Sequence, residues 1–364
     1  MSNNAAPCRP YTPEHSTARL CRQHKPCARS PAANSASIET GLFKEVRHMS
    51  HDNRILVLGA GELGMAMLRN LVRRAAPASR SVAALLRPST IDSTDPTKQK
   101  DVAELHALGV ELVPGDLADQ SADALAAIFR RFDTVISCTG FVGGPGVQLK
   151  IARAALDAGV ARYFPWQFGV DYDVIGRGSA QDLFDEQLDV RDLLRAQERT
   201  EWVIVSTGMF TSFLFEPAFG VVDLARNRVN ALGSWDNAVT VTTAEDIGAL
   251  TTEIVFAEPR IVNQVVYIAG DTVTYGQLAD TVDQLMGLQV LRAEWSVPEL
   301  TRQLEQEPDD SLRKYRVVFA QGRGVAWDKH RTFNAQKGIA VRGLEEWIRH
   351  SGLIGEAVST RQAG

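Results

Sequence analysis

Gly59, Gly61 and Gly64 stand between an apolar run, Ile55 to Leu58, and a segment in which Met65, Leu68, Leu71 and Val72 recur at helical intervals. This is G-x-G-x-x-G spacing at a strand-to-helix turn. The first glycine permits the tight turn, the second admits a pyrophosphate to the backbone, and the third lets helix and strand pack closely. Exposed amides and the helix dipole at such a turn attract phosphates. The spacing predicts a dinucleotide site containing Gly59, Gly61, Glu62, Leu63 and Gly64. A glycine-rich turn without a ligand is the competing reading.

The second strand, Ser81 to Leu86, decides which dinucleotide is expected. An acidic residue at its end would bind a ribose 2′-hydroxyl. Arg87 stands there instead, and a planar guanidinium suits a 2′-phosphate. Lys98 and Lys100 follow, so NADP(H) is expected over NAD, against the alternative that Arg87 is an ordinary exposed arginine. The loop Gly169 to Val174 offers Asp171, Tyr172 and Asp173. A phenol there is a candidate proton donor if its pKa is lowered, and an aromatic loop anchor otherwise.

Positioning these groups requires a scaffold, and strand and helix signals alternate along the chain. Further strands are predicted at Gly109 to Val113, Thr134 to Ser137, Ala161 to Phe164 and Trp202 to Val205. Helices are predicted at 121–131 and Val147 to Ala158. This order predicts a Rossmann-type, doubly wound parallel α/β sheet. Its ligands lie over the carboxyl ends of the strands. Asp116, Cys138, Thr139, Gly140, Phe164 and Pro165 then join the cofactor side of one crevice. Cys138 itself is expected to be a small buried residue. Phe141, Trp166, Gln167, Phe168, Met209, Phe210 and Phe213 are the candidate substrate contacts, with Phe184 and Phe215 nearby, and about half of the aromatic group is expected to touch a ligand. The loop Gly140 to Gly146 reads as a lid or as a structural turn.

Beyond residue 215 the pattern loosens into a smaller substrate-binding lobe over 216–355. Strands are expected at Ala238 to Thr243, Gln264 to Ala269 and Arg316 to Ala320. Helices are expected at Glu245 to Phe256, Thr274 to Met286, Val297 to Gln306 and Gly343 to Ser351. The NADP-binding domain takes 51–215, its sheet completed by later strands, and 356–364 forms a flexible tail. Residues 1–50 hold seven Lys/Arg, three Asp/Glu and Cys8, Cys21 and Cys27. They read as a disordered tail, a leader, or translated sequence upstream of a start at Met49.

The 364 residues carry a net charge of −5, which gives no encouragement to nucleic-acid or anionic-membrane binding. No apolar run approaches the length of a membrane helix, and no zinc spacing is recognisable, so no metal is expected. The cysteines form no disulfide framework, consistent with a cytoplasmic location.

Gly59-Ala-Gly-Glu-Leu-Gly64, Arg87-Pro-Ser-Thr90, Gly115-Asp-Leu-Ala-Asp119, Val135-Ile-Ser-Cys-Thr139 and Ala158-Gly-Val-Ala-Arg-Tyr-Phe-Pro-Trp-Gln-Phe-Gly169 follow one another in order. That series resembles the isoflavone reductase-like and NmrA-like branch of the atypical short-chain dehydrogenases, aromatic alcohol reductase-type members above all. The resemblance implies NADPH as hydride donor and a small aromatic, phenylpropanoid-like substrate. The plant reductases of that branch carry Ser-Glu where this chain has Trp166 and Gln167. They also carry a lysine on the next helix, and Gln187 takes that position here. No lysine lies between Lys150 and Lys314, and a neutral amide cannot donate a proton by titration. Gln187 and Gln167 are therefore expected to orient a substrate oxygen or a water, with Tyr172 as the remaining candidate acid. Two functions follow: an NADPH-dependent reductase of small aromatic molecules, with self-association as a homodimer left open, or a catalytically silent NADP(H) sensor of the NmrA type with a protein partner.

Overall fold

The computed structural model describes residues 54–75, 80–141 and 143–355. The expectations for residues 1–50 and for the tail at 356–364 fall outside these. The first half of the chain runs β1 (Arg54–Leu58), α1 (Glu62–Ala75), β2 (Ser81–Leu86), a single helical turn α2 (Pro88–Ile91), α3 (Pro96–Ala107) and β3 (Glu111–Pro114). It continues through α4 (Ala122–Phe129), β4 (Thr134–Ser137), α5 (Val147–Ala158) and β5 (Arg162–Phe164). The short α6 (Tyr172–Ile175), α7 (Leu183–Arg195) and β6 (Glu201–Ser206) close this half.

These strands, joined by a later one, form a seven-stranded parallel sheet in the order β3-β2-β1-β4-β5-β6-β11, where β11 is Gln264–Tyr267. Strand order reverses between β1 and β4, which leaves a crevice at their carboxyl ends. The fold is the Rossmann-type, doubly wound α/β class that the alternation predicts. Both sheet faces are covered, which is why the strands read as continuous apolar runs. Ile55 and Val57 of β1 pack with Leu63, Met67 and Leu71 of α1, and with Ile247, Leu250 and Ile254 of α8 (Ala244–Val255). Leu56 and Leu58 face the other way, toward Leu125 and Phe129 of α4, Ile151 of α5 and Leu194 of α7.

The remaining chain builds a second core. A sheet of β7 (Met209–Phe210), β10 (Ala238–Thr242) and β12 (Asp271–Thr274) and another of β8 (Val222–Asp223), β9 (Arg228–Leu232) and β13 (Leu291–Trp295) carry it. Around them lie α9 (Tyr275–Met286), α10 (Val297–Gln306), α11 (Ser311–Ala320), a turn α12 (Phe333–Gln336) and α13 (Leu344–His350). Leu278, Val282, Leu300, Val317 and Ile348 meet in that core.

One expected strand is corrected. Arg316 to Ala320 is the second half of α11. The run Val317-Val318-Phe319 suggests a strand by composition, but Asp310 caps a helix start, its carboxylate accepting from the amides of Leu312 at 2.8 Å and Arg313 at 3.1 Å. The helix then buries Val317, Val318, Phe319 and Ala320 together.

Candidate functional site

The glycine turn is built as its spacing requires. Gly59 has φ +88°, a left-handed conformation that favours glycine. A Cβ on Gly64 would stand 2.3 Å from the Gly59 carbonyl oxygen, so α1 can approach β1 only without that side chain. A Cβ on Gly61 would meet nothing within 4 Å, because Gly61 faces open space. That space is a cavity of about 380 Å³, walled by Gly59, Gly61, Arg87, Lys98, Asp116, Cys138 and Thr139 among others.

Arg87 follows β2 and Lys98 lies on α3, whose start is fixed by the Asp95 carboxylate. Among the described residues neither cationic side chain has an ion-pair partner. Val102 and Leu105 of α3 supply an apolar wall, and Asp101 adds a carboxylate to the rim. Asp116 braces its own loop by accepting from the amides of Ala118 at 2.8 Å and Asp119 at 3.1 Å. Burial pushes the Cys138 thiol far above its usual range, which leaves it a wall rather than a nucleophile.

A second cavity, of about 250 Å³, begins where the first ends along the chain. Glu62 follows Gly61 into its wall, and Phe141 stands two residues after Thr139. Trp166, Phe168, Phe184, Met209, Phe210 and Phe213 complete most of its apolar lining. The Trp166 ring lies 5.8 Å from Phe168 and 6.2 Å from Phe210. Seven of the eight apolar residues expected on the crevice side line it. Phe215 is the exception, packing 5.2 Å from Trp347 in the second core. Tyr315 and Phe319 of α11 and Ser212 also line the cavity, and sequence reading missed them. Tyr315 and Phe319 share the i, i+4 spacing of one helix face, a signal hidden by taking their segment as a strand.

Several expected site residues stand elsewhere. Gln167 is fully buried and spends its amide inside the protein. Its Nε2 donates to the Gln187 carbonyl at 2.8 Å, and its Oε1 accepts from Arg191 Nε at 2.7 Å. Gln187 is also fully buried, and neither atom of its amide finds a partner among the described residues. Neither glutamine lines either cavity. Phe164 and Pro165 lie at and just beyond the end of β5, and Phe164 is fully enclosed, its ring 4.8 Å from the Arg162 guanidinium. Leu63 and Gly64 are buried in the packing of α1. Gly140 is held at φ +60° between Thr139 and the Trp166 ring, and its carbonyl accepts from the Gln148 amide.

The loop that follows Gly140 is anchored. Glu186 of α7 accepts from the amides of Gly146 at 2.8 Å and Leu149 at 2.9 Å. This geometry favours the structural turn over a free lid.

Tyr172 does line the second cavity, but its environment opposes the expected chemistry. Burial raises its pKa far above the ordinary phenol value, and the Arg191 guanidinium, 5.2 Å from the ring centroid, offsets only part of that. Tyr315 is raised in the same direction by burial. Both phenols therefore stay protonated near neutrality and are weaker acids than an ordinary phenol. Their hydroxyls serve as hydrogen-bonding groups in a mostly apolar cavity. The Tyr172 hydroxyl lies where a Cβ on Gly169 would approach to 2.7 Å, so Gly169 makes its room.

Glu62 differs. Its carboxyl accepts from the Ser212 hydroxyl at 3.3 Å. Glu62 is exposed to solvent, yet neighbouring atoms crowd its carboxyl enough to raise its pKa; the Ser212 hydrogen bond pulls it back, and Glu245 adds to the rise. Among the described residues no cluster of His, Cys, Asp and Glu could hold a metal ion, and no helix is long and apolar enough to cross a membrane.

A glycine-turn cavity over the switch point of a doubly wound sheet, with an aromatic cavity whose lining begins at the next residue, Glu62, defines a protein of Rossmann-type fold. The chain belongs to the NmrA-like family, whose model matches residues 51–348. An NmrA-like family domain-containing oxidoreductase of Gibberella moniliformis is 49% identical over 304 residues, which cover 83% of this chain and 99% of that protein. Phenylcoumaran benzylic ether reductase Betv6 of Betula pendula is 32% identical over 226 residues, covering 60% of this chain and 70% of that protein. The binary complex of leucoanthocyanidin reductase with NADPH from Vitis vinifera shares the fold, with a TM-score of 0.68 at 19% identity over 84% of this chain and 100% of that one. The resemblance to the NmrA-like and isoflavone reductase-like branch read from the ordered motifs is borne out.

Proposed function

We propose that this chain is an NADPH-dependent reductase of small aromatic, phenylpropanoid-like molecules. The observation that carries the reading is the pair of cavities lined by successive residues of one turn: one holds the glycines with two cations that have no ion-pair partner among the described residues, the other begins at Glu62 and is lined by aromatic side chains. Relatives with reductase names and a structural neighbour solved with NADPH support it.

The residues fit the dinucleotide on this structure's own terms. Gly61 leaves open the space through which a pyrophosphate reaches the start of α1. Arg87 and Lys98 suit the 2′-phosphate, and Val102 and Leu105 suit an apolar base. When bound, NADPH supplies the hydride. The protein's own work is to hold a flat ring among Trp166, Phe168 and Phe210, to exclude water with that apolar wall, and to place the Tyr172 and Tyr315 hydroxyls against a polar substituent. Gln187, buried away from both cavities, has no part in this scheme.

The test is to follow nicotinamide absorbance with NADPH against aromatic aldehydes, enones and benzylic ethers, with NADPH binding measured in the same sample. Turnover with any class supports the reductase. Tight NADPH binding with no oxidation across the panel favours the sensor reading, which the absence of a lysine on α7 supports.

A further inference from the structure

The wall of the aromatic cavity holds three side chains with a titratable proton: Tyr172, Tyr315 and Glu62. Reduction of a carbonyl or a benzylic ether needs a proton as well as a hydride, so the cavity must supply one or admit it from solvent. We propose that Glu62 is the proton donor of this site, with the Ser212 hydroxyl holding its carboxyl toward the aromatic cavity. This rests on the reductase reading and replaces the lysine that α7 lacks.

Position is the first argument. Gly61 walls the cofactor cavity and the next residue, Glu62, walls the aromatic one, which puts this carboxyl in the substrate cavity one residue from the cofactor turn. Acidity is the second. Burial makes the two phenols weaker acids than usual, whereas Glu62 remains a carboxylic acid whose pKa is raised from the ordinary carboxylate value, the direction that favours a protonated donor.

Electrostatics is the third argument. Glu245 and Asp246 open α8 beside the start of α1, Arg342 lies against Asp246, and Arg69 of α1 is paired with Glu104 of α3. Of these, Glu245 acts on Glu62 directly, and it favours the protonated form. The start of α1 favours the ionised form, while the phosphates of a bound dinucleotide would oppose it.

The step balances as a two-electron reduction. The hydride from the reduced nicotinamide forms a new C–H bond at the electrophilic carbon. The electron pair released passes to oxygen, either the carbonyl oxygen or the leaving phenoxide. The Glu62 O–H bond breaks as its proton moves to that oxygen. The carboxylate then regains a proton from solvent through its exposed side.

The experiment compares wild type with E62Q and S212A on a substrate that the panel identifies. Because the protonated acid is required, wild-type kcat should fall as pH rises through the Glu62 pKa. E62Q should lower kcat by about 10²-fold or more and abolish that limb. S212A removes a hydrogen bond that lowers the Glu62 pKa, so its limb should move to higher pH. A second readout is independent of turnover. Calorimetric titration of NADPH in two buffers of different ionisation enthalpy should show proton uptake in wild type beyond that in E62Q. A wild type that turns over while E62Q stays within about threefold of its kcat, with the limb intact, overturns the role of Glu62. A wild type that binds NADPH and reduces nothing overturns the reductase reading, and the proton-donor role with it.

Discussion

Arg87 and Gln187 show how differently single residues submit to sequence reading. Arg87 was legible because its position relative to the glycine turn is fixed by the strand between them, and the structure leaves its guanidinium without an ion-pair partner at the cavity rim. A charge-assisted contact to a 2′-phosphate contributes roughly 1.5–3 kcal/mol. R87A should therefore weaken NADPH by about tenfold to a hundredfold and leave NADH nearly unchanged, as read by fluorescence titration of both. Equal losses would assign Arg87 to the surface. Gln187 was placed by the family's pattern, which fixes a position on a helix but not what the side chain faces. Its amide is buried with neither atom paired, and an unmet buried polar group costs about 1–3 kcal/mol. Q187M keeps the volume and removes the unmet groups, so it should raise the urea midpoint by an amount equivalent to about 1 kcal/mol with kcat unchanged. A tenfold or greater fall in kcat would return Gln187 to the mechanism.

At the scale of elements, the inner strands of the large sheet were readable because burial on both faces makes β1, β2 and β4 continuous apolar runs, and the edge strands β3 and β11 were readable from short apolar pairs between turn signals. In the small sheets only β10, expected at Ala238 to Thr243, was readable. β8 and β7 span two residues each, and β13 pairs parallel with β9 through a long crossover connection. The aromatic cavity shows the same limit: its loops after β5 and β6 were visible, whereas Tyr315 and Phe319 arrive on α11 through tertiary packing alone. The closest helix pairing is also silent in sequence. α8 meets α1 at Gly248, where a Cβ would stand 2.7 Å from the Ala66 carbonyl carbon. Backbone cannot yield there as a side-chain tip would, so G248A must push α8 from α1. The expected cost is about 1–3 kcal/mol of stability by urea unfolding. Because α1 carries Gly61 and Glu62 at its start, NADPH affinity should fall in the same variant. A stable G248A with normal NADPH affinity would mean that the helix pair absorbs the methyl group without moving the turn.

Across the whole molecule, one buried cation ties the two halves of the chain behind the aromatic cavity. Arg191 of α7 is fully buried, donates to Gln167, and forms its closest ion pair with Asp173 at 2.6 Å. Asp171, whose carboxylate lies 3.8 Å from Arg191, accepts at 2.7 Å from the hydroxyl of Tyr267 on β11. Arg195 also pairs with Asp173 at 2.6 Å. Arg195 first, with Arg191, outweighs partial burial and holds the Asp173 carboxyl down at about 2, from an ordinary value of 3.8. The sign follows from proton linkage. A carboxylate whose pKa is depressed on folding stabilises the native state above its unfolded pKa, and that contribution is lost as pH falls through the folded value. The contribution of Asp173 should therefore be complete above about pH 5 and should drain away between 3.8 and about 2. Asp173 is partly exposed, so solvent screening tempers its size, but D173N also takes the nearest counter-charge from a guanidinium with no access to water. D173N should be less stable than wild type at pH 7 by urea unfolding, and the two curves should converge as the pH is lowered through that window. A difference constant with pH would show that Asp173 acts through its shape and hydrogen bonds rather than its charge.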